Sequence, residues 1–90
     1  MPFFIANTHL NRGVLRLMND LEKLRVLLIR WMEHNLEHAQ EFRQWARRAE
    51  ESGSEEAASK LEAAAQGMKA LNNSLQTALD LLGGPIEHDH

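Results

Sequence analysis

Apolar residues follow a heptad pattern through the first half of the chain. From residue 10 they lie three and four residues apart without a slip: Leu10, Val14, Leu17, Leu21, Leu24, Leu28, Trp31, Asn35, His38, Phe42, Trp45 and Ala49. A stripe with this spacing runs along one side of an α-helix and is typical of a coiled-coil or helical-bundle core. Its only polar members are Asn35 and His38. Burying a polar group without a partner costs about 1–3 kcal/mol, so both side chains need partners in the fold.

A second stripe with the same spacing occupies the other half of the chain: Ala57, Leu61, Ala64, Met68, Leu71, Leu75, Ala78 and Leu82. Between the two stripes, Gly53 suits a left-handed C-terminal cap and Ser54 suits an N-cap. Gly83, Gly84 and Pro85 end the second stripe. No alternating β pattern is present, so the sequence predicts an all-α fold, a long antiparallel helical hairpin.

The two stripes and the glycines set the expected boundaries. We expect an N-terminal segment at 1–9, the hairpin at 10–82 and a flexible tail at 83–90. Within the hairpin, helices are predicted at about 10–51 and 55–82, with a turn at 52–54. The alternative to one unbroken first helix is a break near Asn19 and Asp20, because these residues are weak helix formers that can cap a second start.

Folding the chain about Gly53 pairs residues whose numbers add up to about 106. His38 then lies near Met68, and Asn35 lies near Asn72. The first predicted helix is longer than the second, which leaves its N-terminal apolar residues uncovered. Either that segment folds back as a separate short helix or a second chain covers it. We expect a homodimer, an antiparallel four-helix bundle.

Charge and composition exclude several classes of function. With 13 acidic against 10 basic residues, the 90-residue chain has a net charge of −3, which argues against nucleic acid or anionic membrane as a partner. The absence of cysteine excludes disulfides and thiolate metal sites. The first residues lack the features of a signal peptide, so we expect a cytoplasmic protein. No phosphate-binding loop and no nucleophile beside a histidine base is present, so we expect no enzyme activity.

Histidines and glutamates in the first stripe are candidate metal ligands. His34 and His38 lie four residues apart, with Glu41 three residues further on, so two imidazoles and one carboxylate share a helix face. Such a set suits a divalent transition metal, namely zinc, nickel, copper or iron. Alternatively, His34 lies on a solvated face, and His38 packs in the core with a hydrogen bond to Asn72, Asn73 or Gln76. In that interpretation Asn35, His38 and Asn72 form a polar layer that sets the pairing register.

The sequence also bears on two further classes of ligand. Met68 opposite His38 would suit a haem with histidine and methionine ligands, but Trp31, Phe42 and Trp45 fill the space that a porphyrin needs, so haem is not expected. One helix face also carries a row of basic residues, Arg12, Arg16, Lys23 and Arg30. Such a row could bind a membrane surface or nucleic acid, although the acidic total favours an ordinary solvated face.

The segment from Lys23 to Phe42 resembles a small uncharacterised helical domain of archaea and anaerobic bacteria, with a Lys-Leu-Arg-Val-Leu-Leu-Pro-His-Trp-x-Glu-His-Asn-x-x-His-Ala-x-x-Phe motif. The resemblance covers about residues 21–84 and implies metal handling, with a metal-handling protein as a possible partner. The chain departs from this motif at Ile29 and Arg30, which replace Pro-His and remove one histidine from a ladder of three.

The sequence thus predicts a small non-catalytic helical bundle that binds a transition metal through His34, His38 and Glu41. The first alternative is a homodimeric structural or interaction module in which the histidine and asparagine layer only sets the pairing. The second alternative is a basic amphipathic helix that binds a membrane surface or nucleic acid.

Overall fold

Two antiparallel helices make up the part of the chain that the computed structural model describes, residues 17–86. Helix α1 spans Asp20–Glu51 and helix α2 spans Glu55–Leu81. Arg25 near the start of α1 contacts the residues after α2, and Arg43 near the end of α1 contacts Glu62 near the start of α2. The predicted all-α helical hairpin is therefore confirmed.

Helix α1 begins at Asp20 because Asn19 caps it through two reciprocal hydrogen bonds with Glu22. The Asn19 Oδ1 accepts from the Glu22 amide at 2.8 Å, and the Glu22 carboxylate accepts from the Asn19 amide at 3.0 Å. This reciprocal pair is a capping box, which satisfies two amides that the first helical turn leaves open. The expectation of one unbroken helix from residue 10 is thus wrong at this point, and the alternative start is the one observed. Residues 1–16, with the predicted N-terminal segment, lie outside the described residues.

The turn between the helices lies where the sequence predicts it, at residues 52–54. Gly53 has a φ of +93°, a left-handed conformation that glycine adopts without steric strain. The Ser52 amide donates to the Arg48 carbonyl and the Ser54 amide donates to the Ala49 carbonyl, so the last turn of α1 is satisfied. Ser54 occupies the N-cap position of α2 but makes no side-chain capping hydrogen bond.

The contact between the helices is built largely from small residues. The buried residues of α1 are Leu28, Asn35, Ala39 and Ala46, and those of α2 are Ala65 and Leu79. Leu28 and Leu79 are the only buried large hydrophobic side chains within residues 17–86. Alanines at the contact let the two backbones approach closely, because they fill little volume between the helices.

The residues of α1 that face α2 agree with the predicted stripe at alternate positions only. At the positions between, the residue that faces α2 is the one after the predicted residue. Leu28 and Asn35 are buried as predicted, but Trp45 is 57% exposed while its neighbour Ala46 is buried. Likewise His38 is partly exposed, whereas Ala39 is buried. The predicted stripe and the observed stripe both keep the three-and-four spacing. The bulk of Trp45 excludes it from a closely packed two-helix contact, so the predicted core positions at Trp45 and His38 are wrong.

In helix α2, too, the residues that face the partner helix differ from the predicted stripe at alternate positions. Of its predicted stripe, Leu61, Met68 and Leu75 are half-buried, but Leu71 is 46% exposed and Ala57 and Ala64 are also exposed. The observed stripe instead alternates these leucines and Met68 with Ala58, Ala65, Asn72 and Leu79. Neither helix of the described hairpin contains a stretch that is long and apolar enough to cross a membrane.

Candidate functional site

A polar bridge joins the two helices near the middle of the hairpin. The Asn35 Nδ2 donates to the Asn72 Oδ1 at 2.9 Å, and the Asn72 Nδ2 donates to the Met32 carbonyl oxygen at 3.0 Å. Asn35 is only 2% exposed. Sliding one helix along the other would break both hydrogen bonds in a desolvated contact, so the bridge fixes the register of the hairpin. The sum of the residue numbers, 35 plus 72, agrees with the predicted pairing.

The Asn35 Oδ1 is buried and has no hydrogen-bond partner within residues 17–86. A desolvated acceptor without a donor costs about 1–3 kcal/mol. The bridge therefore contributes less net stability than two hydrogen bonds would suggest, and its main effect is on which residues pair.

The histidines form a ladder along α1. The ring centroids of His34 and His38 are 6.0 Å apart with an interplanar angle of 20°, and those of His38 and Phe42 are 6.0 Å apart at 22°. The His38 Nδ1 lies 3.2 Å from the Glu41 carboxylate, and the His34 Nδ1 lies 3.8 Å from the Glu37 carboxylate. Each imidazole is thus directed at its own glutamate, one turn further along the helix.

This arrangement does not assemble the predicted metal ligands. No group of three or more histidine, cysteine, aspartate or glutamate side chains in the described part of the chain could hold a metal ion. His34, His38 and Glu41 share a helix face, but only His38 is close to Glu41. Helix α2 cannot complete the set, because it carries no histidine and no acidic residue between Glu62 and Asp80.

The predicted polar layer is assembled only in part. Asn35 and Asn72 are joined, whereas His38 lies beside Glu41 and Phe42 of its own helix rather than in the buried contact. The physical reason is the shift of the contact stripe to Ala39, which turns His38 toward the side of the hairpin.

The predicted basic row is described only at its second half, since Arg12 and Arg16 lie outside residues 17–86. The Lys23 ammonium lies 3.9 Å from the Asp20 carboxylate, and the Arg30 guanidinium lies 3.9 Å from the Glu33 carboxylate. These pairs are solvent-exposed and add little stability, but they offset the positive charge that an anionic ligand would need.

Arg25 holds the open end of the hairpin together, a role that the sequence reasoning missed. Its Nε donates to the Gly84 carbonyl at 2.6 Å, and its Nη2 donates to the Pro85 carbonyl at 3.1 Å. These carbonyls lie just after α2, outside its intrahelical hydrogen bonds. The available signal was an arginine within the apolar run Leu24–Leu28.

The hairpin also exposes several large apolar side chains, some of which the sequence pattern had assigned to the core. The exposed large hydrophobic residues, with the exposed fraction of each, are Leu17 (90%), Leu21 (60%), Leu36 (49%), Trp45 (57%), Leu71 (46%) and Leu81 (82%). The Arg48 guanidinium lies 4.6 Å from the ring centroid of the exposed Trp45, a cation–π contact.

A family model described as a domain of unknown function, DUF8180, matches residues 24–82. The chain belongs to the DUF8180 family. The match includes most of α1, the turn and all of α2, so the DUF8180 domain coincides with the hairpin. It confirms that the chain has an uncharacterised helical domain, while the archaeal origin and the link to metal handling stay predictions. No curated protein and no solved structure matches the chain.

Proposed function

We propose that the DUF8180 hairpin is a non-catalytic interaction module that self-associates into a four-helix bundle. One observation carries the proposal: residues 17–86 expose six large hydrophobic side chains and bury only Leu28 and Leu79. The described residues thus expose more large apolar side chains than they bury, and covering such side chains against a second copy is favourable.

The small core supports the same conclusion. The buried apolar residues are Leu28, Ala39, Ala46, Ala65 and Leu79. The described hairpin, residues 17–86, is shorter than about 80 residues, and a single core of that size rarely supplies more than about 3–5 kcal/mol. Oligomerisation is one of the usual ways to add to it. Fully burying a large apolar side chain contributes about 1.5–3 kcal/mol. Trp45 and Leu81 are 57% and 82% exposed, so covering both would contribute about 2–4 kcal/mol before the entropy cost of association.

The other predicted functions have less support. Metal binding through His34, His38 and Glu41 lacks a group of three ligands in the described residues. Binding of an anionic surface through the basic row lacks unpaired charge at Lys23 and Arg30. Neither has an observation that favours it over self-association.

Light scattering on the tag-free protein tests the proposal. We expect a mass of twice the 10.3 kDa of the chain at concentrations of tens of micromolar. The mass should persist in high salt, because apolar burial is not screened by ions whereas surface ion pairs are. A mass of 10.3 kDa over the whole concentration range would contradict the proposal.

A further inference from the structure

An open apolar groove lies between the two helices on one face of the hairpin. Its volume is about 460 Å³. Buried Leu79 forms part of its floor, and the half-buried Ile29 and Met32 line its α1 side. Leu36 also lines the groove and is 49% exposed. On the α2 side the groove is lined by the exposed Asn73 and its neighbours. We call the face that carries these residues the groove face.

The open shape of the groove favours a protein partner over a small molecule. Sites for small molecules usually bury about 70–90% or more of the surface of the ligand. This groove is formed by α1 and α2 alone, and the described residues 17–86 contain no third helix or strand that crosses it. One side of a small molecule would therefore stay in water, whereas a helix laid along the groove would cover its whole length.

The lining of the groove carries little charge. Glu33 is the one charged residue among the nine that line it, and its carboxylate lies 3.9 Å from the Arg30 guanidinium of its own helix. The other polar lining residues are amides, namely Asn72, Asn73 and Gln76. An amide side chain both donates and accepts hydrogen bonds, so it can face its own copy, whereas a charged side chain would repel its own copy.

The α1 wall of the groove is itself an apolar ridge. Ile29, Met32 and Leu36 lie at positions i, i+3 and i+7, the spacing of the anchor residues of a helix that binds in a groove. The groove face therefore carries both a ridge and the recess beside it. A twofold dimer needs such a surface, because the same patch of both copies must be complementary to itself.

Arginines bound the ridge at both ends. Arg25 donates to the Gly84 carbonyl, and the Arg43 Nε lies 3.4 Å from the Glu62 carboxylate, so each is engaged within its own chain. Arg43 lies 18 residues after Arg25, which corresponds to about 27 Å of helix. Two adjacent helices are about 20 Å wide, so the surface between the arginines covers about 500 Å². The smallest specific interfaces bury about 600 Å² per partner, a size that this surface reaches with its neighbouring side chains.

We infer that a second copy of the chain binds in this groove, with the ridge of Ile29, Met32 and Leu36 on each copy packed into the groove of the other. This inference rests on the proposed self-association and adds the surface through which it occurs. Leu36 is the anchor residue, because it is the most exposed of the three and gains most from being covered.

Two leucines of nearly equal exposure test the surface. Leu36 is 49% exposed and lines the groove, whereas Leu71 is 46% exposed and lies on the opposite face, because it precedes the contact residue Asn72 while the groove residue Asn73 follows it. A twofold dimer covers Leu36 twice. We therefore expect Leu36→Ser to raise the dissociation constant of the dimer about 10-fold or more in sedimentation equilibrium, about 1.4 kcal/mol. Leu71→Ser should change the dissociation constant less than about threefold.

A second pair of variants tests the groove without removing an apolar side chain. Asn73 and Ser74 are adjacent exposed residues of α2, and of the two only Asn73 lines the groove. Asn73→Lys places an ammonium group at the apolar contact, where its loss of hydration is unfavourable. We expect Asn73→Lys to weaken the dimer about 10-fold or more and Ser74→Lys to weaken it less than about threefold. Circular dichroism should show the same helical hairpin in all four variants.

The outcomes separate the inference from the proposed function. If the unchanged protein is a monomer, the proposed self-association itself is wrong. If the unchanged protein is a dimer, the groove is supported only when Leu36→Ser and Asn73→Lys each weaken it more than their controls do. Any other result overturns the groove while self-association stands. Weakening by Leu71→Ser alone would place the second copy on the opposite face.

Discussion

Replacing Asn35 with leucine is expected to stabilise the hairpin, although it removes a hydrogen bond between the helices. The lost bond from Asn35 Nδ2 to Asn72 Oδ1 contributes about 0.5–1.5 kcal/mol. Against this, the variant removes the buried Asn35 Oδ1, which lacks a partner within residues 17–86 and costs about 1–3 kcal/mol. It also buries new apolar surface at a position that is 2% exposed. After allowing for imperfect packing, we expect a gain of about 1–2 kcal/mol.

The same reasoning predicts the opposite sign for the partner residue. Asn72→Leu leaves the buried Asn35 amide with neither its acceptor nor any other partner among the described residues, and it removes the bond to the Met32 carbonyl. We expect a loss of about 1–3 kcal/mol. The double variant has no buried amide, so it should recover the loss, and the cycle of four proteins should give a coupling of at least 1 kcal/mol.

Urea denaturation followed by far-ultraviolet circular dichroism measures these differences. All four proteins must be compared at one chain concentration, because self-association makes apparent stability depend on concentration. An unchanged slope with a shifted midpoint would show a change of stability rather than of compactness. A loss of 1 kcal/mol or more in Asn35→Leu would refute the reasoning, since it would mean that Asn35 Oδ1 is fully satisfied in solution.

Three other outcomes are expected. Gly53→Ala should lower the free energy of unfolding by about 1 kcal/mol or more, because Gly53 has a φ of +93°. Gly67→Ala should instead raise the free energy of unfolding by up to about 1 kcal/mol, because Gly67 lies within α2 and no atom lies within 4 Å of an added Cβ. Arg25→Ala should lower it by about 1–2 kcal/mol and speed amide exchange at the end of α2, while the exposed Arg30→Ala should change it by less than about 0.5 kcal/mol. In calorimetry, the affinity of zinc for the unchanged protein should be no higher than its affinity for the His38→Ala variant. Stoichiometric zinc binding that is lost in this variant would restore the metal-site prediction.

Within the candidate site, the sequence predicted the Asn35 and Asn72 bridge better than it predicted the histidines. The pairing of the bridge follows from the position of the turn at Gly53, because antiparallel helices keep a constant sum of residue numbers. The direction of an imidazole depends instead on side-chain rotation. His38 has Glu41 within reach on its own helix, at 3.2 Å, and this local pair competes with any shared site. Residue spacing alone cannot decide that competition.

The sequence by itself determined the two helices, the turn and their antiparallel pairing, because these depend on local propensities and on the spacing of apolar residues. It also contained the capping residues Asn19 and Gly53. Only the tertiary structure decided which side of α1 faces α2. The stripes through Trp45 and through Ala46 both keep heptad spacing, and hydrophobicity favours the larger residue. Close packing favours the smaller one, since two backbones can approach only over alanine. Ala46 is therefore buried, and Trp45 is left exposed.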